Sequence, residues 1–508
     1  MELEATDDAG LNKFRADQML ELARWAAGAF QSCSREQAQR IAEAAARAGE
    51  AKAEDLAHKA EQETGFGIAA HKVIKNRLCS IGIFECYKDE DFVSHRIDPL
   101  TKMIEVPKPA GVVFALIPST NPVATVFFKI LLCLMTRNAV VIGAHPRAIE
   151  CCREAALVMA EAAEAAGAPK GVIQVVPEPS IEIINHIMAS PVTDVILATG
   201  GTAMVRAAYS SGNPALGVGP GNAPAYVDRS ADLPRAAKAL ADSKSFDNSI
   251  LCTNESAILA HQDIAEDLKR ALRAEGCYIC SEAERDRLAE ALFPLGVFNV
   301  GLLGRPAREI AEACDISVPH DTRVLIAPLE RVGDDYPLAQ EKLCPVLGLI
   351  VVKDLNNAIS TARTMLRRTG GGHSAALHAT DPHVILRFGA ALNVLRVVVN
   401  SPCSTGAAGF DTHLAPTMTV GTGFFGRSAV AENLKPHHLV NWIRIAFDKD
   451  EAVSFPSFEG LSIEEDAPAS WTDSPTPTPM TPQAMELREE IRQIILEELR
   501  AAIAGLKA

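Results

Sequence analysis

Between residues 111 and 247 short apolar runs alternate with stretches of helical spacing, and no other feature narrows the fold as far. The run GVVFALIP precedes a helical stretch over 121–137, and AVVIGAHP precedes one over 147–166. GVIQVV is followed by SIEIINHIM, VTDVILATG by TAMVRAAYSSG, and ALGVG and PAYVD by DLPRAAKALADS. Buried strands alternating with helices form βαβ units and a mostly parallel sheet covered on both faces. Ligands of such sheets sit beyond the C-terminal ends of the strands, so the residues after each strand are the ones to inspect.

Those residues are polar or small. Pro118, Ser119, Thr120, Asn121 and Pro122 follow the first strand, His145 and Pro146 the second. Thr199, Gly200, Gly201 and Thr202 follow the fourth, where small residues let a backbone approach a ligand phosphate at a helix N-terminus. Gly217, Gly219 and Gly221 stand in GVGPGN. None of these matches G-x-G-x-x-G directly after the first strand, so the glycines alone fit tight turns as well as a nucleotide. Asn121 also suits the start of a helix, as a favoured N-cap.

Residues 245–256, SFDNSILCTNES, present Cys252 where a helix gives way to a strand. A reactive thiolate needs polar or electropositive company, which Asn248, Thr253, Asn254 and nearby backbone amides are placed to supply. Any one of the twelve cysteines taken alone is more often a small packed hydrophobe. Cys277 and Cys280 form a C-x-x-C and Cys151 and Cys152 a pair, but no second pair follows at zinc-site spacing, so no metal site is expected. The opening MELEATDDAG has neither a basic nor an apolar signal region, which points to reduced thiols in a cytoplasmic setting.

Helices are expected over 11–65, with Ser34 as an N-cap and Gly65 as a stop. A second α/β unit runs from 252 to about 400, through ESAILA, TRVLIAPL, PVLGLIVV and RVVVN; between its strands lie Glu341, in EKLCPVLGL, and His373, in GGGHSAALH. The expected division is 1–251 for N-terminal helices and a dinucleotide-binding domain, 252–425 for a catalytic domain, and 426–465 for a returning segment. Residues 466–483, rich in Pro, Ser and Thr, read as a linker, and 484–508 as an amphipathic helix with Leu487, Ile491, Ile494, Ile495 and Leu499 on one face. A net charge of −15 argues against nucleic acid and anionic membrane as partners. The longest apolar run, 123–135, is interrupted by Lys129 and too short to span a bilayer.

The set STNP, ATGGTAM, GVGPGN, SFDNSILC, EKLCPVL and GGGHSAALH, in that order, resembles the aldehyde dehydrogenase superfamily, and within it the coenzyme A-acylating branch found in bifunctional alcohol/aldehyde dehydrogenases and bacterial microcompartments. The resemblance implies an α/β fold of two Rossmann-like parallel-sheet domains, ahead of the linker and amphipathic helix. It implies Cys252 as the catalytic thiol and Asn121, with the Cys252 amide, as donors to the substrate oxyanion. Glu341 falls on the glutamate that holds the nicotinamide ribose. Gly200, Gly201 and Thr202 fall where the dinucleotide lies, His145 near its adenosine side, and Ser119, Thr120 and Gly219 within the same cofactor-binding set. His373 matches a histidine of the acylating branch, with a role in proton handling for thiols.

Hydrolytic members keep a glutamate just after the fifth strand, whereas GVGPGNAP has no carboxylate, so a thiol such as CoA rather than water is expected to finish turnover. The implied reaction oxidises a short-chain aldehyde, such as acetaldehyde or propionaldehyde, with NAD, or NADP, and CoA as co-substrates. The implied assembly is a homo-oligomer, a dimer or tetramer. The tail resembles encapsulation peptides that bind microcompartment shell proteins; pairing with its own kind and folding back on the core are the other readings. A dehydrogenase releasing the free acid and a catalytically inert cargo protein are the alternatives for the whole chain.

Overall fold

A computed structural model describes residues 2–458 and residue 461. Residues up to Phe458 form one compact unit. The expected linker and amphipathic helix, 466–508, lie outside the described residues.

The N-terminal helices run Glu2–Gln31, Arg35–Ala51, Ala53–Thr64 and Ala69–Arg77. Ser34 starts the second through a reciprocal capping box, Gln37 N–H donating to Ser34 Oγ at 3.3 Å and Ser34 N–H to Gln37 Oε1 at 2.7 Å. Gly65, at φ +71°, ends the third in a left-handed turn that a side chain would disfavour. Both boundaries fall where the sequence places them.

Strands β1 (Arg96–Asp98) and β2 (Met103–Pro109) are followed by β3 (Val112–Ile117), β4 (Ala139–Ala144), β5 (Ile173–Val175), β6 (Val195–Ala198) and β7 (Ala215–Gly217). The last five make a parallel sheet in the order β5-β4-β3-β6-β7. Every residue of β3 and β4 is buried, as their unbroken apolar runs require of strands covered on both faces. One cover is helix Pro122–Met135, itself buried at every residue. Its only charge, Lys129, donates to the carbonyls of Leu116 at 2.7 Å and Leu197 at 2.8 Å, bridging β3 and β6, and burial holds its ammonium down to about 7.

Strands β8 (Ala223–Val227), β9 (Glu255–His261), β10 (Cys277–Ile279), β11 (Val324–Leu329), β12 (Val346–Val352), β13 (Gly372–His378) and β14 (Val394–Val399) form a seven-stranded parallel sheet, ordered β10-β11-β12-β9-β8-β13-β14. β8, the PAYVD run, therefore belongs to the larger sheet between β9 and β13, and the change of sheet falls between Gly217 and Ala223 rather than at 251. β15 (Val440–Ala446), within the returning segment, pairs antiparallel with β2, which pairs with β1. This third sheet, joining residues far apart in the chain, has no counterpart in the sequence reading.

In the five-stranded sheet β4 and β6 lie on opposite sides of β3. The crevice beyond a strand whose neighbours wind outward in both directions is where doubly wound sheets bind ligands. The loops at 118–121, 145 and 199–201 open there.

Candidate active site

A cavity of about 650 Å³ occupies that crevice. Ser119, Thr120, Asn121, His145, Gly200, Gly201, Thr202, Gly219, Cys252 and Glu341 all line it. Thr202 opens helix Thr202–Tyr209, and a side-chain carbon at Gly201 would meet nothing within 4 Å, so the turn leaves room for a group to lie against the helix start. The volume and the concave, mostly apolar wall suit a dinucleotide-sized ligand in part or whole. Of the expected site residues only His373 lies elsewhere. It is fully buried in β13, with Nδ1 3.0 Å from Ser374 Oγ, no protein partner for Nε2, and its imidazole held down to about 3 by burial and then by Arg396. It is neutral and does not line the cavity.

Cys252 sits on a turn built under strain. Asp247, Asn248 and Ser249 are three consecutive non-glycine residues in the left-handed region, at φ +48°, +51° and +64°. Each costs on the order of 1 kcal/mol or more and persists only where the surroundings over-determine it. Here they do. Asp247 Oδ1 accepts from Ile68 N–H at 2.6 Å, Asp247 N–H donates to His71 Nδ1 at 2.8 Å, and Asn248 Nδ2 donates to Gly304 O at 2.9 Å. Thr253 Oγ1 donates to Ser404 O at 2.6 Å and Asn254 Nδ2 to Leu251 O at 2.7 Å. Asn248, Thr253 and Asn254 thus use these side-chain bonds to hold the loop, and Thr253 lines the cavity beside Cys252.

The thiol of Cys252 is pushed up to about 12, first by burial and then by the Glu341 carboxylate, against smaller downward pulls from its own N–H and from Arg396. Glu341 accepts from Gly221 N–H at 3.1 Å, and burial holds its carboxyl up at about 7 against that bond and the ammonium groups of Lys244 and Lys342. A side-chain carbon at Gly221 would collide with the Cys252 carbonyl oxygen and stand 3.0 Å from Glu341 Oε1, so glycine is what lets the three segments meet. Val218, Gly219 and Pro220 line the cavity beside Cys252 with no carboxylate among them.

Asn121 starts helix Pro122–Met135, yet its side chain makes no capping bond. Nδ2 instead donates to the carbonyl of Ile250 at 3.3 Å, two residues before Cys252, and to Thr120 Oγ1 at 3.2 Å. Oδ1 accepts from Lys75 Nζ, which also bonds Asp247. Lys72 reaches the same carboxylate oxygen at 3.2 Å. This buried cluster escaped the sequence reading because Lys75 and Asp247 are 172 residues apart. The one hint was an acid inside SFDNS and two lysines three apart on a short helix.

The other cysteines singled out in the sequence are packed thiols. Cys151 and Cys152 are fully buried, while Cys277 and Cys280 belong to different core clusters of the large sheet and do not converge on one point.

Comparison with known proteins fits this geometry. Residues 8–277 match the family model described as the aldehyde dehydrogenase family. The bifunctional aldehyde-alcohol dehydrogenase AdhE of Escherichia coli strain K12 is 36% identical over 85% of this chain and 49% of its own length, so the chain spans about half the length of such curated relatives. The crystal structure of an acetylating aldehyde dehydrogenase from Geobacillus thermoglucosidasius superposes with a TM-score of 0.86 at 37% identity, covering 87% of this chain and 98% of that one. A propionaldehyde dehydrogenase from the fucose utilisation bacterial microcompartment of Clostridium phytofermentans superposes at 0.77 with 27% identity, covering 85% and 97%. The chain belongs to the aldehyde dehydrogenase family.

Proposed function

We propose that the chain is a CoA-acylating aldehyde dehydrogenase, converting a short-chain aldehyde, NAD(P)+ and CoA to an acyl-CoA. The observation that carries this reading is the meeting of Cys252, Asn121 and Glu341 in one cavity whose Val218–Pro220 wall offers no base to activate water. Cys252, once deprotonated, adds to the aldehyde carbon, and the oxygen left negative accepts from Asn121 Nδ2 and the Cys252 N–H. The nicotinamide, when bound, supplies the hydride acceptor. Ser119, Thr120, His145, Gly200, Gly201, Thr202 and Gly219 shape its seat, and Glu341, with one oxygen on Gly221 N–H, keeps the other for a ribose hydroxyl. Loss of hydride leaves the acyl group on sulfur as a thioester. The CoA thiol loses its proton to solvent, its sulfur bonds the acyl carbon as the Cys252 sulfur–carbon bond breaks, and Cys252 is returned as thiolate.

The acetylating and propionaldehyde dehydrogenases superposed above support the substrate class. Omitting CoA should leave one equivalent of reduced cofactor per active site and then a stall. Steady turnover to free acid without CoA rejects the acylating reading, and an active Cys252→Ala variant rejects the mechanism.

The apolar stripe of 484–508 behind a Pro-rich 466–483 supports a second proposal, that the tail docks on microcompartment shell proteins in the cytoplasm. A chain cut after 465 that still co-purifies with shells refutes it.

A further inference from the structure

Helix Ala69–Arg77 turns Lys72 and Lys75 inward, where they share the single carboxylate of Asp247. Lys72 is 3% exposed, Lys75 1% and Asp247 0%. Two ammonium groups on one carboxylate leave a surplus positive charge inside the protein. The neighbouring His71 adds no further charge, since burial lowers its pKa and its Nδ1 accepts from Asp247 N–H. A surplus buried cation is costly unless something uses it. Asp247 does not require Lys75, because Ile68 N–H and Lys72 already satisfy its two oxygens. The group that Lys75 alone serves is the Asn121 carboxamide.

We propose that Lys75 is a positioning residue for the oxyanion donor, its ammonium gripping Asn121 Oδ1 so that Nδ2 faces the Cys252 loop and donates more strongly. This rests on the reading of Asn121 under Proposed function. Two effects combine. With Oδ1 bound to a cation the carboxamide cannot flip, because a flip would set its NH2 against an ammonium. The same cation draws electron density out of the amide and adds a positive field at the place where substrate oxygen becomes negative. That field is fixed before reaction and needs no reorganisation. It favours the alkoxide over the neutral carbonyl, so it lowers the barrier rather than tightening ground-state binding.

A double-mutant cycle on the full chain tests this, with Lys75→Met, Asn121→Ala and the double variant. The readout is the single-turnover rate of cofactor reduction at saturating aldehyde, with aldehyde KM measured alongside. Lys75→Met leaves Lys72 and Asp247 as a balanced pair, and Lys75→Gln, which keeps a neutral donor to Oδ1, completes the same cycle if the Met variant does not fold. The expected result is a loss of about 10- to 100-fold in the native background, with KM within about two-fold, and less than about three-fold in the Asn121→Ala background. Gln should fall between native and Met. Equal losses in both backgrounds would overturn the inference, since a merely structural lysine damages both alike. If Asn121→Ala alone leaves the rate unchanged, the oxyanion reading itself fails, which is a different outcome.

Discussion

Replacing Glu341 with glutamine tests how charge is arranged around the thiol. Cys252 is raised from an ordinary 9.0 to about 12, with burial the larger cause and the Glu341 carboxylate the second. A carboxylate beside a buried thiol is expected to weigh against its thiolate by about ten-fold at a given pH. Glu341 is itself held up at about 7, so it opposes the thiolate only above that pH. The sign follows directly. Below about pH 6 native and Glu341→Gln sites carry the same charge, and their Cys252 residues should react with iodoacetamide at the same rate, measured by quenched alkylation and peptide mass mapping. As pH rises through 7 the native carboxylate ionises and suppresses its neighbour, while the variant does not. The variant-to-native rate ratio is expected to climb from about one at pH 6 to about ten at pH 8.5. Glutamine keeps an oxygen for Gly221 N–H, so the loop geometry is preserved. A ratio that stays flat across this range, or falls below one above pH 7, refutes the coupling.

The same carboxyl makes a stability prediction. Its folded value lies above the ordinary 4.5, so its contribution is complete below pH 4.5 and is lost as pH rises through about 7. Allowing for its partial exposure, urea unfolding should show Glu341→Gln more stable than native by on the order of 2 kcal/mol at pH 8 and indistinguishable near pH 4.5. Gly221→Ala forces a carbon onto the Cys252 carbonyl oxygen, and the resulting displacement should lower kcat/KM by about 100-fold or more while circular dichroism stays native. Lys129→Met removes the donor that two strand carbonyls share, and thermal unfolding should register a loss of about 1–3 kcal/mol.

The loops that form the cavity were legible because each follows an apolar run, and a doubly wound sheet puts such loops on one edge. Ser34 and Gly65 were legible for a local reason too, since a cap depends on residues three or four apart. The membership of β8 was not, because PAYVD reads as a buried strand in either sheet and only long-range pairing with β9 and β13 decides. His373 was expected from its match to a histidine of the acylating branch, a resemblance that does not report what the glycines before it make room for. Gly370 and Gly372 are left-handed residues whose missing side chains admit Asn222 and Thr422, so the room they make is filled by the protein itself. A motif reports that something comes close; it does not report whether that something is a ligand.

The charges around Cys252 are opposed, and the opposition suits a nucleophile that must wait. On the Gly221 side Glu341 makes a free thiolate costly, while on the Asn121 side Lys72 and Lys75 outnumber the carboxylate of Asp247 and Lys75 bonds Asn121 Oδ1. A sulfur so placed favours its protonated form and resists stray alkylation and oxidation, which track thiolate character. In the reaction proposed above the negative charge leaves sulfur for oxygen on attack, moving away from Glu341 and towards the proposed oxyanion donor Asn121. On that proposal the interactions that grow in the step are absent before attack, which is the condition for them to raise the rate and not only the affinity.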